Sequence, residues 1–229
     1  MRKALLAWSS GKDSAWALHV LRQQGGVEVR AMLTTFNRNY GRVAMHTVRR
    51  ELVEMQAEAA GLPLWPIELP WPCPNEVYER LMAEACGRAI AEGFDTVVFG
   101  DLFLEDVRAY REKQLQGTGL TPLFPLWGRD TRQLAREMIL GGQRAYVTCL
   151  DPSKLPPGFA GREFNEAFLE EIPPDVDACG ERGEFHSFVF ASPAFSHPLD
   201  VQTGEVVERE GFVFADVLPS GVQSDQARP

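Results

Sequence analysis

The sequence predicts an α/β fold: a doubly wound, mostly parallel sheet followed by a smaller C-terminal α+β region. Three observations carry this. Short apolar runs alternate with amphipathic helical stretches as far as Leu150. A Ser-rich loop with one Gly joins the first apolar run to the first helix. After Asp151-Pro152, Pro and Gly become frequent, and the remaining apolar runs read as strands.

Taken in order, Lys3 to Trp8 is a buried strand. Ser14 to Gln24 is a helix with Trp16, Ala17, Val20 and Leu21 on one stripe, stopped by Gly25-Gly26. Val27 to Phe36 is the second strand. Thr47 to Ala60 is a helix ended by Gly61-Leu62-Pro63, and Leu64 to Leu69 is the next strand. Asn75 to Glu92 is a long helix that stops before the apolar strand Thr96 to Gly100. Helical patterns return over Glu105 to Gln116 and Asp130 to Leu140, with the Pro-punctuated stretch Leu120 to Trp127 between them. Ala145 to Leu150 continues the strand rhythm. Beyond it, Phe185 to Ala191 and Glu205 to Val217 read as β-strands. This divides the chain into a first domain over 1–151, a smaller region over 152–219 and a disordered polar tail over 220–229.

The formal net charge is −9, which disfavours sequence-blind binding to nucleic acid or to an anionic membrane. No apolar run approaches the roughly 18 residues of a membrane span. The four cysteines form no C-x-x-C pair, so reduced thiols in a cytoplasmic protein are expected. An exposed edge strand in the β-rich C-terminal region leaves a homodimer open.

Ser9-Ser10-Gly11-Lys12-Asp13-Ser14 is the most informative segment. A strand delivers it to the carboxyl edge of the sheet, and a helix begins immediately after it. Gly11 permits close backbone approach, and the helix start offers unpaired N–H groups at the positive end of its dipole. Ser9, Ser10 and Ser14 add hydroxyls, Lys12 a mobile cation, and Asp13 a carboxylate able to hold Mg²⁺ beside a polyphosphate. The loop is no Walker A motif, because Leu6 stands where the first Gly belongs and Asp13 replaces the final hydroxyl. It is no dinucleotide fingerprint either, since G-x-G-x-x-G is absent.

The loop resembles the PP-loop S-G-G-K-D-S of the N-type ATP pyrophosphatases, with Ser10 in place of the first Gly. Phe99-Gly100-Asp101-Leu102-Phe103-Leu104-Glu105-Asp106 and Cys179-Gly180-Glu181-Arg182-Gly183-Glu184-Phe185-His186-Ser187 narrow the match: they resemble the G-D-I-F-L-E-D and C-G-E-x-G-E-F-H-T blocks of the diphthine–ammonia ligase family. The resemblance implies an adenine nucleotide alpha hydrolase-like (HUP-type) fold with a PP-loop nucleotide-binding domain and a C-terminal acceptor-binding region. It also implies a cytoplasmic, ATP-binding ligase. Such an enzyme adenylates a carboxylate, releases pyrophosphate, and makes an amide with ammonia or another nitrogen donor; the acceptor, protein or metabolite, stays unnamed.

On this reading Ser9, Ser10, Gly11, Lys12, Asp13, Ser14, Thr34, His46 and Gly100 bind ATP, and Asp13 and Asp101 hold Mg²⁺. Lys12, Asp101, Glu184 and His186 carry the catalysis, and Gly180, Glu181, Gly183, Glu184 and His186 receive the acceptor. The residues themselves leave alternatives open. Thr34 equally suits a strand-end cap, and His46 a helix cap. The Glu181, Glu184 and His186 trio suits a structural turn. Two other functions remain as rivals: a PP-loop pyrophosphatase acting on tRNA or a small metabolite, and a non-catalytic adenine-nucleotide sensor.

Overall fold

A computed structural model describes residues 1–43 and 48–221. His46 and most of the expected tail, residues 222–229, lie outside the described residues.

Strand β1 (Arg2–Ala7) lies at the centre of the main sheet, paired in parallel with β2 (Val27–Asn37) on one side and β5 (Thr96–Val98) on the other. β2 is long enough to serve two neighbours. Its first half pairs with β1, and its second half pairs in parallel with β4 (Leu64–Leu69) and antiparallel with the two-residue β3 (Arg42–Val43). β6 (Thr121–Leu123) extends the sheet in parallel beyond β5. The chain therefore moves outward from β1 through α1 (Lys12–Gln24) to β2, continues through α2 (Arg50–Ala60) to β4, and crosses back by α3 (Asn75–Ala91) to β5. The reversal makes the gap between the carboxyl ends of β1 and β5 the topological switch point, where open sheets of this class bind ligands.

β1 alternates its side chains between two cores, as period two requires. Ala4 and Leu6 join Trp16, Leu18 and Leu52 on the face of α1 and α2. Leu5 joins Trp65, Ala85, Ala89 and Leu115 on the face of α3 and α4 (Glu105–Leu115). α1 ends where Gly25 and Gly26 take up left-handed φ values of 70° and 80°.

β7 (Arg144–Leu150) departs from expectation. It does not extend the parallel sheet but pairs antiparallel with β8 (Phe185–Ala191) and β10 (Phe212–Pro219), in a second sheet ordered β8-β7-β10-β9. An apolar run reports burial on both faces and says nothing about which sheet receives it. The stretch expected as one strand over Glu205 to Val217 is a hairpin. β9 (Val201–Arg209) and β10 meet at Glu210-Gly211, whose φ values of 51° and 81° match a two-residue I′ turn. α5 (Thr131–Leu140) is capped by the Asp130 carboxylate, which accepts from Gln133 N–H at 2.8 Å. The short α6 (Glu166–Glu171) is capped in the same way by Asn165, accepting from Phe168 N–H at 2.9 Å. The second sheet packs onto α1, so Trp8, Leu18 and Val98 share one hydrophobic cluster with Phe164, Phe168 and Phe188. Among the described residues, no helix is long and apolar enough to cross a membrane.

Candidate active site

The loop from Trp8 to Gly11 leaves β1 at the switch point, and α1 starts at Lys12 with Gly11 as its N-cap. Ser9 Oγ sits 3.2 Å from Ser14 Oγ and accepts from Gly11 N–H at 3.3 Å, while Ser14 Oγ donates to Gly11 O at 3.0 Å. Ser10 is fully buried at φ 69°, in the left-handed region, and its hydroxyl has no partner. Its carbonyl accepts from Val189 N–H and from Gln56 Nε2, each at 3.0 Å.

Lys12 is 2% exposed. The mobile cation expected of it is instead a buried ammonium that donates to Cys179 O and to Asp13 Oδ2, the latter at 2.8 Å, and lies 5.3 Å from the centre of the Phe185 ring. The reason is the second sheet, which covers the start of α1: Lys12 N–H donates to Ser187 Oγ at 3.2 Å, and Lys12 O accepts from Gln143 Nε2 at 2.9 Å. Burial on its own lowers the Lys12 pKa, but Asp13, with Cys179 and Glu181 behind it, outweighs this and holds the ammonium charged.

Gly100 brings the β5 loop against the helix start. A Cβ there would stand 3.0 Å from Ser14 N and 3.4 Å from Asp13 Cβ, so the residue must be glycine for the two segments to meet this closely. Asp101 follows, facing Arg111 Nε at 3.6 Å with Oδ2 buried and without a hydrogen bond. Burial raises its pKa against the pull of Arg111. Thr34 gives its hydroxyl to Trp8 O at 2.8 Å, the strand-end bond that the sequence left open.

Residues 177–184 form a compact turn facing this edge. Asp177 accepts from Cys179 N–H at 3.0 Å and Glu181 N–H at 3.2 Å, and its other oxygen accepts from Thr131 Oγ1 at 2.6 Å. Glu184 is buried and closes the turn from the other end, accepting from Asp177 N–H at 3.1 Å and Arg182 N–H at 2.9 Å. Gly180 has φ 71° and leaves no room for a Cβ, which would fall 2.7 Å from Phe185 O; Gly183 has φ 77°. Period-two spacing put Glu184 and His186 on one face. In the structure Glu184 precedes β8 and is occupied by backbone N–H groups, whereas His186 is within the strand.

Glu181 reaches across to Leu102 N–H at 2.8 Å, joining the turn to the loop after β5. Burial chiefly, then Asp13, pushes its carboxyl up to about 7, against the Leu102 N–H. Burial, then the Lys12 charge, holds His186 down to about 4, so the imidazole is neutral at pH 7. Asp13, Lys12, Asp101 and Glu181 thus share one electrostatic neighbourhood between β1 and β5. A shallow groove of about 660 Å³ beside α4 lies at the amino end of β6, away from these groups.

Both halves of this arrangement match known domains. Residues 1–122 match the diphthamide synthase N-terminal domain and residues 130–217 the diphthamide synthase C-terminal domain. The chain belongs to the diphthamide synthase family. It is similar to the diphthine–ammonia ligase of Homo sapiens, at 27% identity over 190 residues that cover 75% of this chain and 70% of the relative. The Rattus norvegicus ligase is 28% identical with the same coverage. That of Danio rerio is 27% identical over 189 residues, covering 75% of this chain and 73% of the relative. Among solved structures, a predicted subunit of tRNA methyltransferase from Methanocaldococcus jannaschii aligns at 17% identity with a TM-score of 0.39, covering 61% of this chain and 76% of that one.

Sequence reasoning missed four residues that shape this site: Gln56, Gln143, Asp177 and Ser187. The signal for Gln56 was present, since it is a polar residue on the apolar stripe of α2 among Leu52, Val53 and Ala57. Ser187 stands in the family block itself. Nothing local marks Gln143, whose partners are remote in sequence, whereas Asp177 bonds within its own turn, to Cys179 N–H and Glu181 N–H, a short-range pattern open to an Asp.

Proposed function

We propose that this member of the diphthamide synthase family is an ATP-dependent, AMP-forming ligase that adenylates a carboxylate and converts it to an amide with ammonia. What supports the reading most is the meeting of a phosphate loop and an acceptor turn at one switch point, joined by the bond from the Lys12 ammonium to Cys179 O. The acceptor is a carboxylate of the kind that diphthine presents.

Ser9, Ser10, Gly11, Asp13 and Ser14 receive the β- and γ-phosphates on the start of α1. Lys12 offsets the charge that grows as the bond between α-phosphorus and the bridging oxygen breaks. The acceptor carboxylate oxygen attacks the α-phosphorus, and pyrophosphate leaves with that bond's electron pair. Ammonia then attacks the acyl carbon of the mixed anhydride, AMP departs, and the nitrogen sheds a proton. Glu181, whose carboxyl titrates at about 7, takes that proton. The His186 imidazole, neutral and close enough to feel the Lys12 charge, orients ammonia. Glu184 keeps the turn in shape.

Asp13 and Asp101 fit Mg²⁺, because each has a buried carboxylate oxygen without a hydrogen-bond partner and such hard oxygens suit this ion. No group of three His, Cys, Asp or Glu converges among the described residues, so these two carboxylates would hold the ion only together with oxygens from outside the chain. When bound, the ion neutralises phosphate charge.

The test follows the label of ATP marked at the α-phosphate, incubated with Mg²⁺, ammonium and either a diphthine-bearing protein or a cell extract. Label in AMP, dependent on the acceptor, is the expected result; label in ADP overturns the proposal. Lys12→Ala lowers pyrophosphate release by about 100-fold or more. It also lowers stability, because Asp13 loses its buried partner.

A further inference from the structure

We infer that Gln56 is a positioning residue of the phosphate loop: its carboxamide grips Ser10 O and keeps that residue in the left-handed conformation the loop requires. The inference rests on the proposed function, in which this loop holds the ATP phosphates.

Gln56 is 0% exposed, on the inner stripe of α2. An apolar side chain would fill this position without the cost of burying an amide. Every part of the amide is engaged. Nε2 donates to Ser10 O at 3.0 Å and to Val189 O at 2.7 Å, while Oε1 accepts from Trp8 Nε1 at 2.8 Å. One side chain thus ties the end of β1, the loop and β8 to a single point.

The Ser10 carbonyl needs such a hold. Its φ of 69° is a conformation that L side chains avoid, and its own hydroxyl offers no compensating bond. Val189 N–H and Gln56 Nε2 supply two donors to one carbonyl and turn it to the rear. With the carbonyl drawn back, the N–H groups of Asp13 and Ser14, beyond those of Gly11 and Lys12 already given to Ser9 and Ser187, stand at the start of α1, where an anion binds. Gly11 leaves little slack, since a Cβ there would meet Ser187 O at 3.3 Å.

The experiment titrates α,β-methylene-ATP with Mg²⁺ into wild type, Gln56→Met, Ser10→Gly and the double variant, with melting temperatures alongside. Gln56→Met is expected to weaken nucleotide binding by about tenfold, the order of one lost hydrogen bond. Adding Ser10→Gly restores affinity to within about threefold of Ser10→Gly alone, because glycine reaches positive φ unaided. The melting temperature stays depressed, because Trp8 Nε1 still lacks its acceptor. A Gln56→Met protein that melts lower but binds as tightly as wild type overturns the inference, and so does a double variant with no recovery. If Gln56→Met does not fold, Gln56→Asn carries the same comparison, since it keeps a neutral buried amide and shortens its reach toward Ser10 O. If wild type itself does not bind the analogue, the functional reading fails. Amide exchange then decides the positioning: acceleration confined to residues 10–13 in the Gln56 variants supports it, and unchanged exchange there overturns it.

Discussion

Ser10 holds a side chain where the backbone favours none, and its buried hydroxyl bonds to nothing. Replacing it with glycine removes both penalties and adds some unfolded-chain entropy. Ser10→Gly should therefore stabilise the protein by about 1 kcal/mol, or about 2–4 °C in melting temperature. A lower melting point would mean that the hydroxyl has a role in the folded state. His186 makes a different prediction. Its folded pKa is about 4, and an unfolded histidine titrates near 6.5. As pH falls below 6.5 the unfolded chain takes up a proton that the folded chain refuses, so stability declines until pH reaches about 4 and then levels. Urea melts of wild type and His186→Gln between pH 7 and pH 4 should show the variant losing less stability over that window; parallel curves would show that His186 takes up its proton with an ordinary pKa. The loop's place was legible at this scale, because Ser, Gly, Lys and Asp fall between an apolar run and an amphipathic one, and it does join β1 to α1. The burial of Lys12 was not legible, because the residues that cover it, Cys179 and Ser187, lie more than 160 positions away.

The parallel strands β1, β2, β4 and β5 and the helices α1 to α5 announce themselves by period and by Gly or Pro stops, and the expected boundaries agree within a few residues. What failed was short or context-dependent. β3 spans two residues, too few to show a period, and β6 spans three with Pro122 at their centre, which reads as a break where the apolar run of β5 does not. α6 has six residues, and β7 reads as well in either sheet. The contact between β5 and α1 carries its own prediction. A Cβ at Gly100 meets backbone on the helix side, at Ser14 N and Asp13 C, which cannot swing aside as a side chain would. Gly100→Ala should push the β5 loop off the helix start, cost about 1–3 kcal/mol, and reduce pyrophosphate release by more than the stability loss explains. Full activity at unchanged stability would show that the two segments need not touch.

The two sheets do not stand apart. Arg42 and Arg49, beside the parallel sheet, both pair with Asp216 on β10, and Arg22 of α1 donates to Ala194 O at 2.6 Å. With Trp8, Leu18, Phe168 and Phe188 in one cluster, thermal unfolding should be a single transition, with fluorescence and far-UV circular dichroism coincident. Two separated transitions would mean that the C-terminal sheet folds alone. The Lys12 nitrogen sits at the seam of this joint structure, shared between Asp13 of the loop and Cys179 O of the turn. An anion that draws it forward releases the Cys179 carbonyl, and a guest that tightens the turn draws it back. Linkage makes the two effects equal in free energy, typically about 1–3 kcal/mol. On the proposed function, the resting place of one nitrogen therefore couples nucleotide to acceptor, each paying for or sparing the other the same shift.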